Sequence, residues 1–279
     1  MPHIGRQAVA KTDGILSKPK KFPFETNFWQ PAKTSVSPDT RRHRGAHTRD
    51  AELFHTDQIP KLCVAVSELS WLVSHGYKMA SALKLVGDRH GLRERQRLAV
   101  SRSACSDEDR QRRITHAVPV AQLGNERVIV DGFNLIITVE AALSGGPLFI
   151  GVDKCIRDLS SVHGSYRSVE ETERAIYMIG KALEHLGASS VMWLLDRPVS
   201  NSGRLATRIA EIALQRGWPW RVEAVFNPDA TITSSTAVAI TSDSSILDRV
   251  ERWADLKGHL LATEIPNAWM IDLSSGDYF

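Results

Sequence analysis

Along residues 60–73 the apolar positions Leu62, Val66, Leu69 and Val73 recur every three or four residues, as on the buried face of a helix, and His75-Gly76 stops the run. A second short helix is predicted over 78–86, ended by Gly87, and a third from Leu92 to about Arg102. In the third, Leu92, Leu98 and Val100 point inward and Arg93, Arg95, Arg97 and Arg102 outward. Ser106, followed by Asp107, Glu108 and Asp109, reads as the capped start of a linking helix. Beyond Gly124 the pattern changes to short apolar runs that alternate with helical stripes. Residues 128–130, 191–195, 222–226, 238–240 and 259–262 read as buried strands. Between the first two, Ser168 and Glu171 form a capping box ahead of the stripe Ile176, Ile179, Leu183 and Leu186, closed by Gly187. Another helix is predicted over about 204–216. The alternation predicts an α/β fold, a mainly parallel sheet flanked by helices, preceded by a small all-α module that resembles a helix-turn-helix.

Residues 1–48 lack sustained periodicity, contain five prolines and end in the cluster Arg41-Arg42-His43-Arg44. They read as an extended or disordered basic arm, whose Phe22, Phe24, Phe28 and Trp29 could dock on a partner or on the protein body. The expected organisation is therefore an arm over 1–48, a helical module over 49–116 and an α/β domain over 125–279. At 279 residues and 42% hydrophobic, the chain can bury an ordinary core plus a satellite. Its net charge of +3 hides an asymmetry: residues 1–127 hold 22 Lys and Arg against 13 Asp and Glu, and the remainder 13 against 19. A basic half suits a polyanion such as nucleic acid, while an acidic half repels phosphate unless a cation intervenes. Cys63, Cys105 and Cys155 are odd in number and far apart, which argues against a disulfide framework and a zinc knuckle and for a reducing compartment. No stretch approaches the ~18 apolar residues of a membrane span, and no leader pattern opens the chain, so a cytoplasmic protein with no membrane is expected.

Three predicted strands end in an aspartate: Asp131, Asp196 and Asp243. Each alone is explained as the N-cap of the next helix. Parallel strands, however, bring their carboxyl ends to one edge of the sheet, where ligands sit in such folds. Carboxylates within a few ångströms of one another are costly unless protonated or bridged by a cation. Mg2+ or Mn2+ suits such a set, since a hard cation held by few protein oxygens keeps waters that can attack phosphorus. Two polar loops lie on the same side. One carries Asn201, Ser202 and Arg204, donors that suit either phosphate or an ordinary turn; the other carries His163, Tyr166 and Arg167, which suit contact with nucleic acid. Arg93, Arg95 and Arg97 on the third helix would run along a nucleic-acid groove. No phosphate-binding G-x-x-x-x-G-K or dinucleotide-binding G-x-G-x-x-G pattern is present.

Residues 128–136, Val-Ile-Val-Asp-Gly-Phe-Asn-Leu-Ile, resemble the opening motif of PIN-like nucleases of the NYN branch, and residues 241–246, Thr-Ser-Asp-Ser-Ser-Ile, resemble that superfamily's late motif. The resemblance implies that Asp131 and Asp243 ligate metal and that Asn134 orients substrate or ligand, with Asp196 matching a strand-end acid of several NYN proteins. One motif departs: the Ala-Asp pair that opens a helix between the third and fourth strands is missing, and Asn227-Pro228-Asp229 leads instead through a Thr/Ser-rich stretch to the next strand. Asp229 or Glu173 is the candidate substitute. At whole-chain level, residues 81–88, 95–97, 130–135, 162–167 and 198–204 resemble domain-of-unknown-function family 434 with its C-terminal companion domain, which brings no established activity. The leading expectation is a divalent-metal-dependent endonuclease on RNA rather than DNA, with a homo-oligomer left open. The alternatives are a non-catalytic nucleic-acid-binding or regulatory protein with a degenerate PIN-like domain, and a different enzyme such as a phosphatase.

Overall fold

A computed structural model describes residues 43–160 and 166–274; residues 1–42 of the predicted 1–48 arm and His163 lie outside the described residues. The first five helices are α1 (Asp50–Leu53), α2 (Ile59–Ser74), α3 (Met79–Arg89), α4 (Glu94–Ser103) and α5 (Asp107–His116). Leu62, Val66 and Leu69 of α2 are fully buried against Ala82 and Val86 of α3 and Ala99 and Val100 of α4. Helix α3 does not stop at Gly87. The missing side chain there makes room for the Arg97 guanidinium, and the helix runs on to Arg89, with His90 as its C-cap, before Gly91 turns the chain with a φ of +58°.

The arginines of α4 correct a second expectation. Arg95 grips the fully buried Asp50 through two bonds of 2.6 and 2.7 Å. Arg97 reaches the Leu92 carbonyl and Asp88, and Arg102 donates to the carbonyls of Asp158 and Ser160. Arg93 alone of the four is exposed. A helix whose apolar face is short recruits long cationic side chains to tie down neighbouring carbonyls and acids, and periodicity does not distinguish such an arginine from a solvated one.

The α/β part follows as β1 (Arg127–Asp131), α6 (Gly132–Leu143), β2 (Leu148–Ile150), β3 (Ile156–Arg157), α7 (Thr172–His185), β4 (Ser190–Asp196) and α8 (Ser202–Arg216). After these come β5 (Trp220–Val225), α9 (Pro228–Thr233), β6 (Val238–Ile240), α10 (Ser244–Leu247), α11 (Leu256–Glu264) and β7 (Met270–Asp272). The main sheet has the order β5-β4-β1-β6 and is parallel throughout. Alternation along β1 sends Val128 and Val130 into a core built from α6, α7, α8 and α11, and Ile129 into a second core with Ile232, Ile246 and Trp253. Both faces are covered, which is why the strands read as unbroken apolar runs. A second sheet, β3-β2-β7, carries Phe149 and Ile271 into the core of the helical region.

Three local expectations fail. Residues 259–262 are helical, because Asp255 caps α11 by accepting from the Gly258 N–H at 2.9 Å and Leu256, Leu260 and Leu261 share one buried face. The Ser168/Glu171 capping box does not form. Helix α7 starts at Thr172, whose hydroxyl instead accepts from the Val169 N–H at 2.9 Å and donates to Glu140 at 2.5 Å. The Thr/Ser-rich stretch after Asn227 is helix α9, capped by the Asn227 side chain on the Ala230 N–H.

Asp153, between β2 and β3, is the electrostatic knot of the molecule. It accepts from Arg113 of α5 at 2.5 Å and from Arg157 of β3 at 2.7 and 3.0 Å, and all three side chains are buried. Burial alone pushes the carboxyl up; the bonds and charges of Arg157 and Arg113 more than offset it and hold Asp153 at about 2. Its contribution to stability is thus complete above the ordinary carboxyl range and is lost as pH falls from about 4 toward about 2. Asp153→Ala takes the carboxylate from the buried Arg157, leaves Arg113 with Asp248 alone, and is expected to cost about 3–5 kcal/mol in urea unfolding at pH 7. The gap to wild type should shrink on acidification toward pH 2.

Candidate functional site

The carboxyl ends of the parallel strands open onto a cavity of about 830 Å³. Asp131 ends β1, Asp196 ends β4, Asp229 sits in the first turn of α9 after β5, and Asp243 follows β6; all four line the cavity, as do Arg102 and Arg157. Gly132 makes this edge possible. Helix α6 starts directly after Asp131, and a Cβ at 132 would come within 2.9 Å of the Leu194 carbonyl oxygen.

The N-cap alternative holds for one of the three predicted aspartates. Asp243 caps α10, accepting from the Ser245 N–H at 2.8 Å and its hydroxyl at 2.7 Å. Asp131 occupies the N-cap position of α6 without capping it, and accepts from the Thr241 hydroxyl at 2.8 Å across the β1–β6 boundary. Surrounded by protein except toward the cavity, its carboxyl is pushed up to about 6 by burial, with repulsion from Asp243 adding to the shift and Thr241 and Lys257 opposing it. Asp229 is raised by burial and by the charges of Asp243 and Asp196. These acids therefore feel one another. Among the described residues, however, no three His, Cys, Asp or Glu side chains stand close enough to hold an ion between them.

Asn134, on the first turn of α6, also lines the cavity. Its Oδ1 accepts from the Ser242 N–H at 2.8 Å and from Lys257 Nζ at 2.6 Å. Lys257 is a residue that the sequence reading missed. It is 2% exposed and also donates to Ser242 Oγ at 2.6 Å and Thr138 Oγ1 at 3.1 Å; burial lowers its pKa to about 8 against the pull of Asp158 and Asp131. The available signal was its place beside Leu256, Leu260 and Leu261, an apolar stripe in which a solvated lysine has no room.

Other predicted site residues are not brought to this cavity. Tyr166 is 1% exposed and its hydroxyl donates to the buried Glu140 at 2.5 Å, so it is a core residue and not a nucleic-acid contact. Asn201 takes a left-handed backbone and donates to the Tyr166 carbonyl, and the buried Ser202 hydroxyl donates to the Arg197 carbonyl, so both hold their own loop. Arg204 is exposed on α8. Arg167 is exposed and lines a neighbouring cavity of about 650 Å³ that Arg44 and Arg95 also line. Glu173 is held by Arg208 and lines neither cavity. Arg93, Arg95 and Arg97 lie outside the aspartate cavity, to which the helical region contributes Ser101 and Arg102. Among the described residues no helix is long and apolar enough to cross a membrane.

Comparison with known proteins places two family models on the chain. One described as a domain of unknown function (DUF5616) matches residues 120–259, and one described as a protein of unknown function (DUF434) matches residues 61–115. An uncharacterized protein of Methanocaldococcus jannaschii is 30% identical over 183 residues, which make up 66% of this chain and 87% of that one. No solved structure matches.

The raised Asp131 carboxyl makes a stability prediction. A folded-state pKa of about 6 means that its favourable contribution is complete below about 4 and is lost as pH rises through about 6. Asp131→Asn removes the cost of ionisation and is expected to raise Tm by a few degrees at pH 8, an effect on the order of 1–3 kcal/mol, and to leave it nearly unchanged at pH 4. A lower Tm at pH 8 would show that the fold needs the charge.

Proposed function

The chain belongs to the family described as a domain of unknown function (DUF5616), and from that premise we propose that it is a Mg2+- or Mn2+-dependent endonuclease acting on RNA. The observation that carries the reading is the convergence of Asp131, Asp196, Asp229 and Asp243 on one cavity, close enough for the charge of Asp243 to add to the rise of Asp131, and those of Asp243 and Asp196 to the rise of Asp229. Hard oxygen donors are the right type for Mg2+ or Mn2+. Three preassembled carboxylates are not required, because Mg2+ commonly binds through one or two and keeps several waters or substrate phosphate oxygens. Asp131 and Asp243 would hold the ion, with Asp196 or Asp229 bonding its waters. When bound, the ion would neutralise phosphate charge and supply an activated water. Arg102 and Arg157 on the same cavity add positive charge for a phosphodiester.

The resemblance to PIN-like NYN nucleases supports the choice of RNA and of phosphodiester cleavage. Its missing motif has a counterpart, since Asp229 sits in the first turn of a short helix between the third and fourth sheet strands in chain order. In this reading the helical region shapes the cavity through Ser101 and Arg102 and does not lay a helix in a groove. A second reading, a nucleic-acid-binding protein that does not cut, is favoured by the lack of three assembled ligands among the described residues.

The test is cleavage of mixed single-stranded and structured RNA by purified protein with Mn2+, with Mg2+ and with EDTA. Metal-dependent cutting is expected, and Asp131→Asn and Asp243→Asn are each expected to reduce it about 100-fold or more. Salt-sensitive RNA binding without cutting would establish the second reading, and neither binding nor cutting would remove both.

A further inference from the structure

Lys257 is unusual among the charged groups of this molecule. Its ammonium has three protons, and three neutral oxygens take them: Asn134 Oδ1, Thr138 Oγ1 and Ser242 Oγ. Thr138 passes the contact on, since its hydroxyl bonds Asp158 Oδ2 at 2.6 Å, and Thr241, next to Ser242, bonds Asp131. The ammonium thus stands behind the cavity wall, linked to Asp158 through the Thr138 hydroxyl and bonded to the residue beside the one that holds Asp131. No residue is better placed to decide how Asn134 is turned. An asparagine amide has an accepting end and a donating end, and side-chain geometry alone does not tell them apart. Here the partners do. Both Lys257 Nζ and the Ser242 N–H can only donate, so the end that meets them is the oxygen. The Asn134 NH2 group has no partner among the described residues, and Asn134 lines the cavity.

We propose that Lys257 is a positioning residue that locks the Asn134 amide with its oxygen inward and its NH2 toward the cavity, which makes Asn134 a donor to a substrate phosphate oxygen and not a metal ligand. The phosphate half of the proposal rests on the nuclease reading; the orientation of the amide does not. Because the oxygen already has two short bonds, a metal ion could take it only by displacing a buried ammonium from one of its three acceptors, which would leave one of its protons without a partner.

The test compares wild type, Asn134→Asp, Lys257→Met and the double variant by thermal unfolding, by Mn2+ titration followed by electron paramagnetic resonance, and by binding of a single-stranded RNA with Ca2+ present. Asn134→Asp keeps the acceptor for Lys257 and removes the donor. It is expected to unfold at or above the wild-type temperature, to bind Mn2+ within about threefold of wild type, and to bind RNA about tenfold more weakly. The same Asn134→Asp change made on Lys257→Met is expected to lower Tm, since the new carboxylate then has no cation. A purely structural asparagine would leave RNA affinity unmoved. Should Lys257→Met fail to fold, Asn134→Asp still decides. The proposal is overturned if that variant binds Mn2+ about tenfold or more tightly, if it melts far below wild type, or if it binds RNA as wild type does. Wild type that binds no RNA would sink the nuclease reading, and the thermal and Mn2+ results would still decide which way the amide faces.

Discussion

Asp153 lies between two arginines, one on α5 and one on β3, and much else is positioned by that contact. Arg113 brings α5, and with it the helical region, against the α/β part. Arg157 brings the small sheet, and its Nε goes on to donate to the Ser242 carbonyl at 2.8 Å. Arg113 also holds Asp248 at the end of α10. The turn that presents Asp243 is therefore gripped at both ends by guanidinium groups anchored on one carboxylate. Buried ion pairs of this kind add little net stability compared with apolar packing, but an arrangement that separates them is heavily penalised. That asymmetry suits an element whose task is to keep a short helix and its capping acid in place.

The cavity beyond the strand ends inherits its electrostatic character from this scaffold. Its aspartates come from four successive strand ends of a parallel sheet, so their proximity is a product of topology and not of local sequence. Facing them from within the protein are cations that cannot move away: Arg157, tied to Asp153, and Lys257, enclosed by hydroxyls and an amide. The acids are thus partly compensated from behind and exposed in front. Such a site resists collapse while keeping negative potential on its open side.

The main sheet was legible because its strands are covered on both sides and so appear as unbroken apolar runs, and because an aspartate at the end of such a run is visible without any structure. Helix α7 was legible for a different reason, since Ile176, Ile179 and Leu183 form a stripe buried on one face only. The second sheet was not legible, since strands of two or three residues have no period to detect. Residues 259–262 are ambiguous because four apolar-rich residues fit either a strand or a helix turn, and it is the capping Asp255 upstream that separates the two. The larger error concerned arginine. Spacing points Arg95, Arg97 and Arg102 to solvent or nucleic acid, whereas they close internal gaps by reaching backbone carbonyls and buried acids, as Arg113 also does. A sequence shows the charge and not its partner, and the partners lie up to 135 residues away. Lys257 was hidden by the same logic.

Glu140 offers a different kind of consequence. It is fully buried, accepts from Tyr166 and Thr172, and its remaining oxygen is bonded by Arg44 Nε at 2.6 Å, from a segment with no regular secondary structure. Arg44 also donates to the Arg167 carbonyl, and Gly45 fits closely against the Ser144 carbonyl. The boundary of the folded unit, in the sense that matters to anyone trimming the chain, therefore lies before residue 44 and not at the first helix. A shortened protein that starts at α1 keeps every helix and strand yet leaves a carboxylate sealed in the interior without its cation, the kind of fault that lowers expression yield before it is noticed as a change in fold.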